Sequence, residues 1–464
     1  MTTYLTNDHA KAILKLGTPI MLGQMGVILV GFVDNIMVGH YGTAELAAAS
    51  FVNNFINLAF ILGMGFSYGL IPLVSGAYAS KNGRLKTLLK SSIVANIVVG
   101  ILLTLVMGFF YWKIEWLDQP RELLPLIRPY YLIHLVSIIP LMIFNAYKQF
   151  GDGVSQTTVS MKAILISNAV NILFNYLLIY GAFGFPELGL IGAGLATLLS
   201  RFVMLGILLW AVHRTKRFRT IFSESGSDTG RVEKAALSDL TRLGIPSGMQ
   251  MGLESGSFSI AVIMIGWLGA VPLAAHQVVN TISTLGFMVY YGLSSAVAIR
   301  VGYFYELRKE RAIENTVKSA LALHFALALV LIVVLLIFRN QVGQIFTTDE
   351  AVLALVSQLI FILCIYQPGD VYQILYSNAL RGLHDVKFTA WAALFSYAVM
   401  TVGAGYLFGI FLGYGVMGVW SGFPIGLTTL GLLLYLRYRY VLKKLPLSHT
   451  DERPNISTPN TDEI

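Results

Sequence analysis

Charge and cysteine are what this sequence has least of. Of its 464 residues 12% are charged, and Cys364 is the one cysteine. Charge that sparse leaves too little polar surface to solvate a soluble domain of this size. A single thiol excludes an intramolecular disulfide and a cysteine-rich metal site, so Cys364 is read as packing. No Gly-rich loop ending in Lys-Ser or Lys-Thr is present to cradle a nucleotide's phosphates, so nothing in the sequence supports an ATP-driven pump. The eight histidines form no His-Glu-x-x-His pair, and His276 is assigned to helix packing. Strands alternating lipid-facing with polar residues are also missing, which excludes a membrane β-barrel.

What is present is hydrophobic: 56% of the residues are apolar and the mean hydropathy is +0.70. Twelve apolar runs reach spanning length, roughly 20 residues each, from 13–38 through 416–436. The expectation is an all-α integral membrane protein of twelve transmembrane helices. The net charge of +8 is a topology signal and not a nucleic-acid footprint. Of 32 Lys and Arg, 27 fall on the side of the termini and even-numbered loops; Lys113, Arg121, Arg128 and Arg339 fall on the other, and Arg201 lies within a span. The positive-inside rule then places both termini in the cytoplasm, with the basic loops also able to meet lipid headgroups.

The chain repeats itself. Leu16-Gly17-Thr18-Pro19 aligns with Leu243-Gly244-Ile245-Pro246 at an offset of 227, which also brings Gly65 onto Gly292; Asn145-Ala146-Tyr147-Lys148 aligns with Asn378-Ala379-Leu380-Arg381 at an offset of 233, with Asp152 on Asp385. Two parallel six-helix lobes are expected, the arrangement of a secondary transporter with its substrate path between them. The N-terminal lobe is assigned to 1–213, a polar, basic cytoplasmic linker to 214–239, the C-terminal lobe to 240–442, and a hydrophilic cytoplasmic tail to 443–464.

Three acids lie inside apolar runs: Asp34, Glu254 and Asp370. A carboxylate in hydrocarbon costs about 2.5–3.5 kcal/mol on insertion scales unless it meets a partner or a water-filled cavity, so each marks a candidate site. Tyr366 precedes Asp370 by one helical turn, and Pro368 between them leaves a carbonyl free of its usual helix partner. Glu254 falls midway along its run, whereas Asp34 lies nearer an end, where an interfacial acid is the competing account. None of the three has an acidic counterpart in the repeat, so the lobes are expected to divide the work. Paired carboxylates in a low-dielectric cavity resist double ionisation and take up a proton or a desolvated cation; Na+ would draw on Tyr366, Asp370, Glu254 and carbonyls near Pro368. Asn168, Asn171 and Asn175 form a polar stripe on the fifth span, and Asn53, Asn54 and Asn57 on the second, near Asp34. Interhelical hydrogen bonding competes with cavity lining for both. Aromatic and methionine residues around them, Met249, Met251, Phe258, Met288, Tyr290 and Tyr291, suit a site for bulky cations, with packing the alternative.

Several segments in order resemble the multidrug and toxic compound extrusion (MATE) family, in its NorM branch: Gly31-Phe32-Val33-Asp34-Asn35-Ile36-Met37, Pro186-Glu187-Leu188-Gly189, Ala274-Ala275-His276-Gln277-Val278, Ile299-Arg300-Val301-Gly302, Ile365-Tyr366-Gln367 with Asp370, and Leu380-Arg381-Gly382 with Asp385. The resemblance implies a V-shaped antiporter of the inner membrane, a monomer without cofactor, that expels cationic, often aromatic drugs in exchange for Na+ or H+. It makes Glu254, Tyr366 and Asp370 the cation site, holding Na+ transiently, and Asp34, Asn171 and Asn175 the polar cluster of the first lobe. The Pro368-Gly369 pair departs from the family pattern. Two rival functions are a lipid-linked precursor flippase of the same superfamily, which would want a basic cavity, and an intramembrane aspartyl protease, whose Gly-x-Gly-Asp motif is missing.

Overall fold

The computed structural model describes residues 2–117, 120–224 and 230–444, so the tail assigned to 443–464 lies almost wholly outside it. The described residues form helices and no strands. The first lobe contains α1 (Asp8–Tyr41), α2 (Thr43–Ser80), α3 (Leu85–Trp112), α4 (Arg121–Gly153), α5 (Thr157–Tyr180) and α6 (Gly189–Arg214). A short amphipathic helix, Lys216–Glu224, opens the connection between the lobes. The second lobe contains α7 (Lys234–Gly266), then α8 (Ala270–Glu306), α9 (Glu310–Ile337), α10 (Glu350–Gly382), α11 (Val386–Phe411) and α12 (Gly415–Lys444). Eleven of the twelve are long and apolar enough by composition to cross a membrane. The exception is α7, whose 33 residues would reach about 50 Å at 1.5 Å per residue. Gln250, Glu254 and a series of serines thin its hydropathy because it lies against other helices rather than lipid: α2 on one side and α11 on the other.

The sequence repeat reappears as a symmetric pair of contacts between the lobes. Gly17 of α1 lies against Leu293 of α8, and Gly244 of α7 lies against Phe66 of α2, which is the same contact shifted by 227 in both partners. These approaches leave no room for side chains. A Cβ on Gly65 would stand 2.7 Å from the Gly248 Cα, and one on Gly292 would stand 2.6 Å from the Met21 Cα. Small residues that let backbones touch are the usual means of packing helices where lipid removes the hydrophobic drive. The seam runs along the end of the bundle that carries the N-terminus, and a cavity of about 200 Å³ indents it between Pro72 and Arg84 of the first lobe and Arg242 and His384 of the second. Away from that end Val27, Leu29 and Ile36 on α1, Ile260 and Ile263 on α7 and Trp267 just beyond it are all exposed.

Two local departures from α-helix shape the second lobe. In α11, residues Phe395–Gly403 and Leu407–Phe411 wind as π-helix, with the Thr401 hydroxyl donating to the Ser396 carbonyl at 3.2 Å. Gly418, Gly422 and Gly426 of α12 form the opposing stripe, each pressed onto α11 backbone or onto Thr401 itself. Such bulges cluster at functional sites because they re-aim side chains; here Tyr397 turns into the lobe interior, 1% exposed. The Pro368 segment, by contrast, interrupts nothing: α10 is continuous from Glu350 to Gly382. Gly369 lets it approach α12, since a Cβ there would lie 2.9 Å from the Thr428 amide nitrogen.

Candidate functional site

Glu254 and Asp370 are on different helices, α7 and α10, yet they share one donor. The Gln373 side-chain nitrogen donates to Glu254 Oε1 at 3.3 Å and to Asp370 Oδ1 at 3.2 Å. The two carboxylates therefore stand within two hydrogen-bond lengths of each other. Asp370 is 4% exposed and Gln373 1%, while Glu254 is partly open. The surroundings are rich in oxygen, and the Arg381 guanidinium reaches Glu254 electrostatically. The Tyr397 hydroxyl faces Glu254 and has no other partner, and Gln373 Oε1 is buried with none. Two carboxyl groups beside unpaired neutral oxygens form a donor set of the kind that can take up a proton or a monovalent cation. Among the described residues no cluster of three or more His, Cys, Asp or Glu side chains exists to hold a transition metal.

Tyr366 and its neighbours brace this site from behind. The Tyr366 hydroxyl is hydrogen-bonded to Ser283 of α8, so it lines the site without pointing a free oxygen into it. The Tyr290 hydroxyl donates to Gln367 Oε1 at 3.0 Å. His324, fully buried, sits between the Ser294 hydroxyl at 2.8 Å and the Tyr290 carbonyl at 3.0 Å. His276 accepts from the Trp420 indole at 3.2 Å, a packing contact, and Cys364 is buried and free.

The first lobe gathers its own cluster. Asn175 donates to Asp34 Oδ1 at 2.5 Å and to Asn171 Oδ1 at 3.2 Å, and Asn171 donates to Thr197 at 3.3 Å. Arg201 donates to the Ser137 hydroxyl, with its guanidinium 4.3 Å from the Phe60 ring centroid and close enough to Asp34 to act on it electrostatically. Of the other candidates, Asn53 accepts from Tyr130 at 3.3 Å, whereas Asn54 and Asn57 are exposed. Phe258 stacks on Phe423 at 4.6 Å, and Met249 is half exposed.

Gln373, Tyr397, Thr197 and Tyr130 were not singled out from the sequence. Gln373 had a signal, since it follows Asp370 by three residues and so shares its helix face. Tyr397 had none, because its direction depends on the π-helical turn.

The comparisons with known proteins agree with this architecture. The MatE family profile matches residues 19–177 and 246–407, one segment in each lobe. The chain is 27% identical to the probable multidrug resistance protein NorM of Photorhabdus laumondii over 438 residues, covering 92% of this chain and 94% of that one. It is also 27% identical to the multidrug resistance protein NorM of Vibrio cholerae over 442 residues, covering 94% and 96%. Among solved structures, the eukaryotic MATE transporter AtDTX14 superposes with a TM-score of 0.84 at 17% identity, over 95% of this chain and 98% of that one. An outward-facing multidrug resistance MATE family transporter of the MOP superfamily gives 0.83 at 20% identity, over 95% and 98%. With the profile spanning both lobes and NorM proteins matching nearly end to end, this chain is a multi-pass membrane protein of the MatE family, in its NorM branch.

Proposed function

We propose that the protein is a secondary multidrug efflux antiporter of the inner membrane, exporting cationic aromatic compounds in exchange for inward Na+ or H+, with both termini cytoplasmic. The observation that carries this reading is the Glu254–Gln373–Asp370 bridge. Two carboxylates sharing one amide, one buried and one partly open, repel each other when both are ionised, and an entering cation or proton relieves that repulsion.

The bridge also supplies a lever. Glu254 lies six residues beyond Gly248 on α7, about 9 Å along the helix, and Gly248 packs on Gly65 in the seam between the lobes. Occupancy of the carboxylates thus acts on a helix that helps to hold the lobes closed at the basic end. Exchange follows if the cation binds one lobe arrangement more tightly and the drug the other, the coupling being that difference in affinity.

The test is ethidium efflux from everted vesicles energised separately by a Na+ gradient and by a pH gradient. One of the two gradients drives efflux in the wild type, and Glu254→Gln and Asp370→Asn each lose it. Undiminished gradient-driven efflux in both variants overturns the proposed coupling site.

A further inference from the structure

Below the carboxylate pair a polar column runs toward the closed end of the molecule, and it ends on an arginine that has no salt-bridge partner among the described residues. Asp370, Gln373, Ser377 and Arg381 recur at spacings of three and four, so they share one face of α10; Gln250 and Glu254 do the same on α7. One turn below the bridge, the Gln250 amide donates to the Ser377 hydroxyl at 2.7 Å, and that hydroxyl lies 3.1 Å from Gln250 Oε1. A further turn down, Arg381 donates to Asn378 Oδ1 at 2.9 Å. Arg381 is 2% exposed, its Nε has no partner, and among the described residues no carboxylate is within ion-pair distance of it, although it acts electrostatically on Glu254 and on Tyr291.

The repeat explains how this arginine came to be unpaired. Its counterpart Lys148 is paired with Asp152 at 2.8 Å in the first lobe. The counterpart of Asp152 is Asp385, which is taken instead by Arg437 at 2.6 Å. Arg381 therefore faces the seam, where its guanidinium lies 5.3 Å from the ring centroid of Tyr68. Tyr68 belongs to the other lobe, at the break in α2, and packs 5.6 Å from Tyr291. The cap over Arg381 is thus assembled only while the lobes are closed at this end.

We propose that Arg381 is an electrostatic valve. The column of Gln250, Ser377 and Asn378 is the inner access route of the coupling cation, about 16 Å from Asp370 to Arg381 along α10. The fixed charge at its foot repels a cation passing either way until the lobes part, Tyr68 withdraws and water screens the guanidinium. This rests on the reading of Glu254 and Asp370 as the cation site, and it adds a residue that holds the ion without touching the drug.

The experiment measures drug-independent Na+ and H+ flux into proteoliposomes holding the full-length protein, with chloride flux alongside. Arg381→Gln keeps the hydrogen-bonding length but loses the charge, and raises cation leak about tenfold or more; Arg381→Lys stays as tight as the wild type. Adding Glu254→Gln to Arg381→Gln abolishes the leak, because the ion then has no site to pass through. Tyr68→Leu, which leaves Arg381 in place, leaks severalfold more than the wild type and serves if Arg381→Gln does not fold. The valve is overturned if Arg381→Gln transports drug with no added leak, if Tyr68→Leu folds and stays tight, if the leak persists without Glu254, or if chloride leaks equally. Its failure is distinct from that of the cation site: coupled efflux surviving Glu254→Gln removes the site, whereas lost coupling with no leak in Arg381→Gln removes only the valve.

Discussion

The two lobes have the same fold and partner their acids differently. In the first, each buried acid has a cationic neighbour: Asp152 is paired with Lys148, and Asp34 lies within the field of Arg201. In the second, Glu254 and Asp370 share a neutral amide, and the arginine that the repeat would have paired makes no salt bridge but stands near the seam, where it reaches Glu254 electrostatically. Duplication conserved what packs, the glycines of the seam above all, and left free what ionises. A lobe whose charges are internally balanced is suited to stay rigid as ions come and go, and one with surplus negative charge is suited to bind them.

The largest expected effect separates the acids of the two lobes. Glu254→Gln or Asp370→Asn abolishes gradient-driven efflux, because a neutral amide neither takes up a proton nor offers a cation the second carboxylate of the pair. Asp34→Asn, which keeps a hydrogen-bond acceptor for Asn175, weakens efflux by a smaller factor and leaves the choice of driving ion unchanged. Equal losses and a changed ion preference in Asp34→Asn would break the contrast. Transport assays under each gradient decide between the two.

Next come the salt bridges. Lys148→Met leaves Asp152 charged and 1% exposed, and costs about 3–5 kcal/mol of stability. Arg437→Met leaves Asp385 in a wetter place, 18% exposed, with Arg381 one turn away on the chain to turn toward it, and costs about 1 kcal/mol. Thermal unfolding of the two variants in detergent gives the order; the reverse order would mean that Arg381 does not answer to Asp385.

The seam is the third point of comparison. Gly65→Leu forces a side chain onto the Gly248 backbone, and overpacking of about 1–3 kcal/mol shifts the lobes toward separation at the basic end. Spin-label distances across that end measure the shift, and an unchanged distribution would show that the glycines are not what holds the lobes together.

The smallest effect is a pH dependence of the same seam. His384 lies between the spans, beside Tyr305 at 5.2 Å and next to the Pro72 carbonyl of the other lobe; burial lowers its pKa from the ordinary value, Arg242 adds to that, and the Pro72 carbonyl and Asp239 oppose it. A lowered pKa means that the closed seam binds fewer protons than the open one. Closure is therefore unaffected well above the ordinary value of about 6.5 and weakens as pH falls through it. His384→Gln flattens that dependence in the same distance measurement.

Much of this was legible in the sequence, and for physical reasons. Spans were legible because lipid demands long apolar runs, and α7 was placed among them as the run 243–268 despite its polar face. The acids stood out because hydrocarbon penalises them. Gln373 did not, since a neutral amide is ordinary in any helix until two carboxylates are found on either side of it. The exchange of partners around Arg381 was also hidden: Arg437 and Asp385 are 52 positions apart, and only the packing of α12 against the end of α10 brings them together. Tyr397 points where it does because α12 glycines press α11 into a π-helical turn.

The most direct measurement is equilibrium binding of the coupling cation to the purified protein, read as bound Na+ and, in parallel, as protons released on adding ethidium. Wild type and Asp34→Asn should bind the ion and give it up to the drug, whereas Glu254→Gln with Asp370→Asn should do neither. Ion binding that survives the double change, or that is lost with Asp34 alone, would contradict the assignment of the motor to the second lobe.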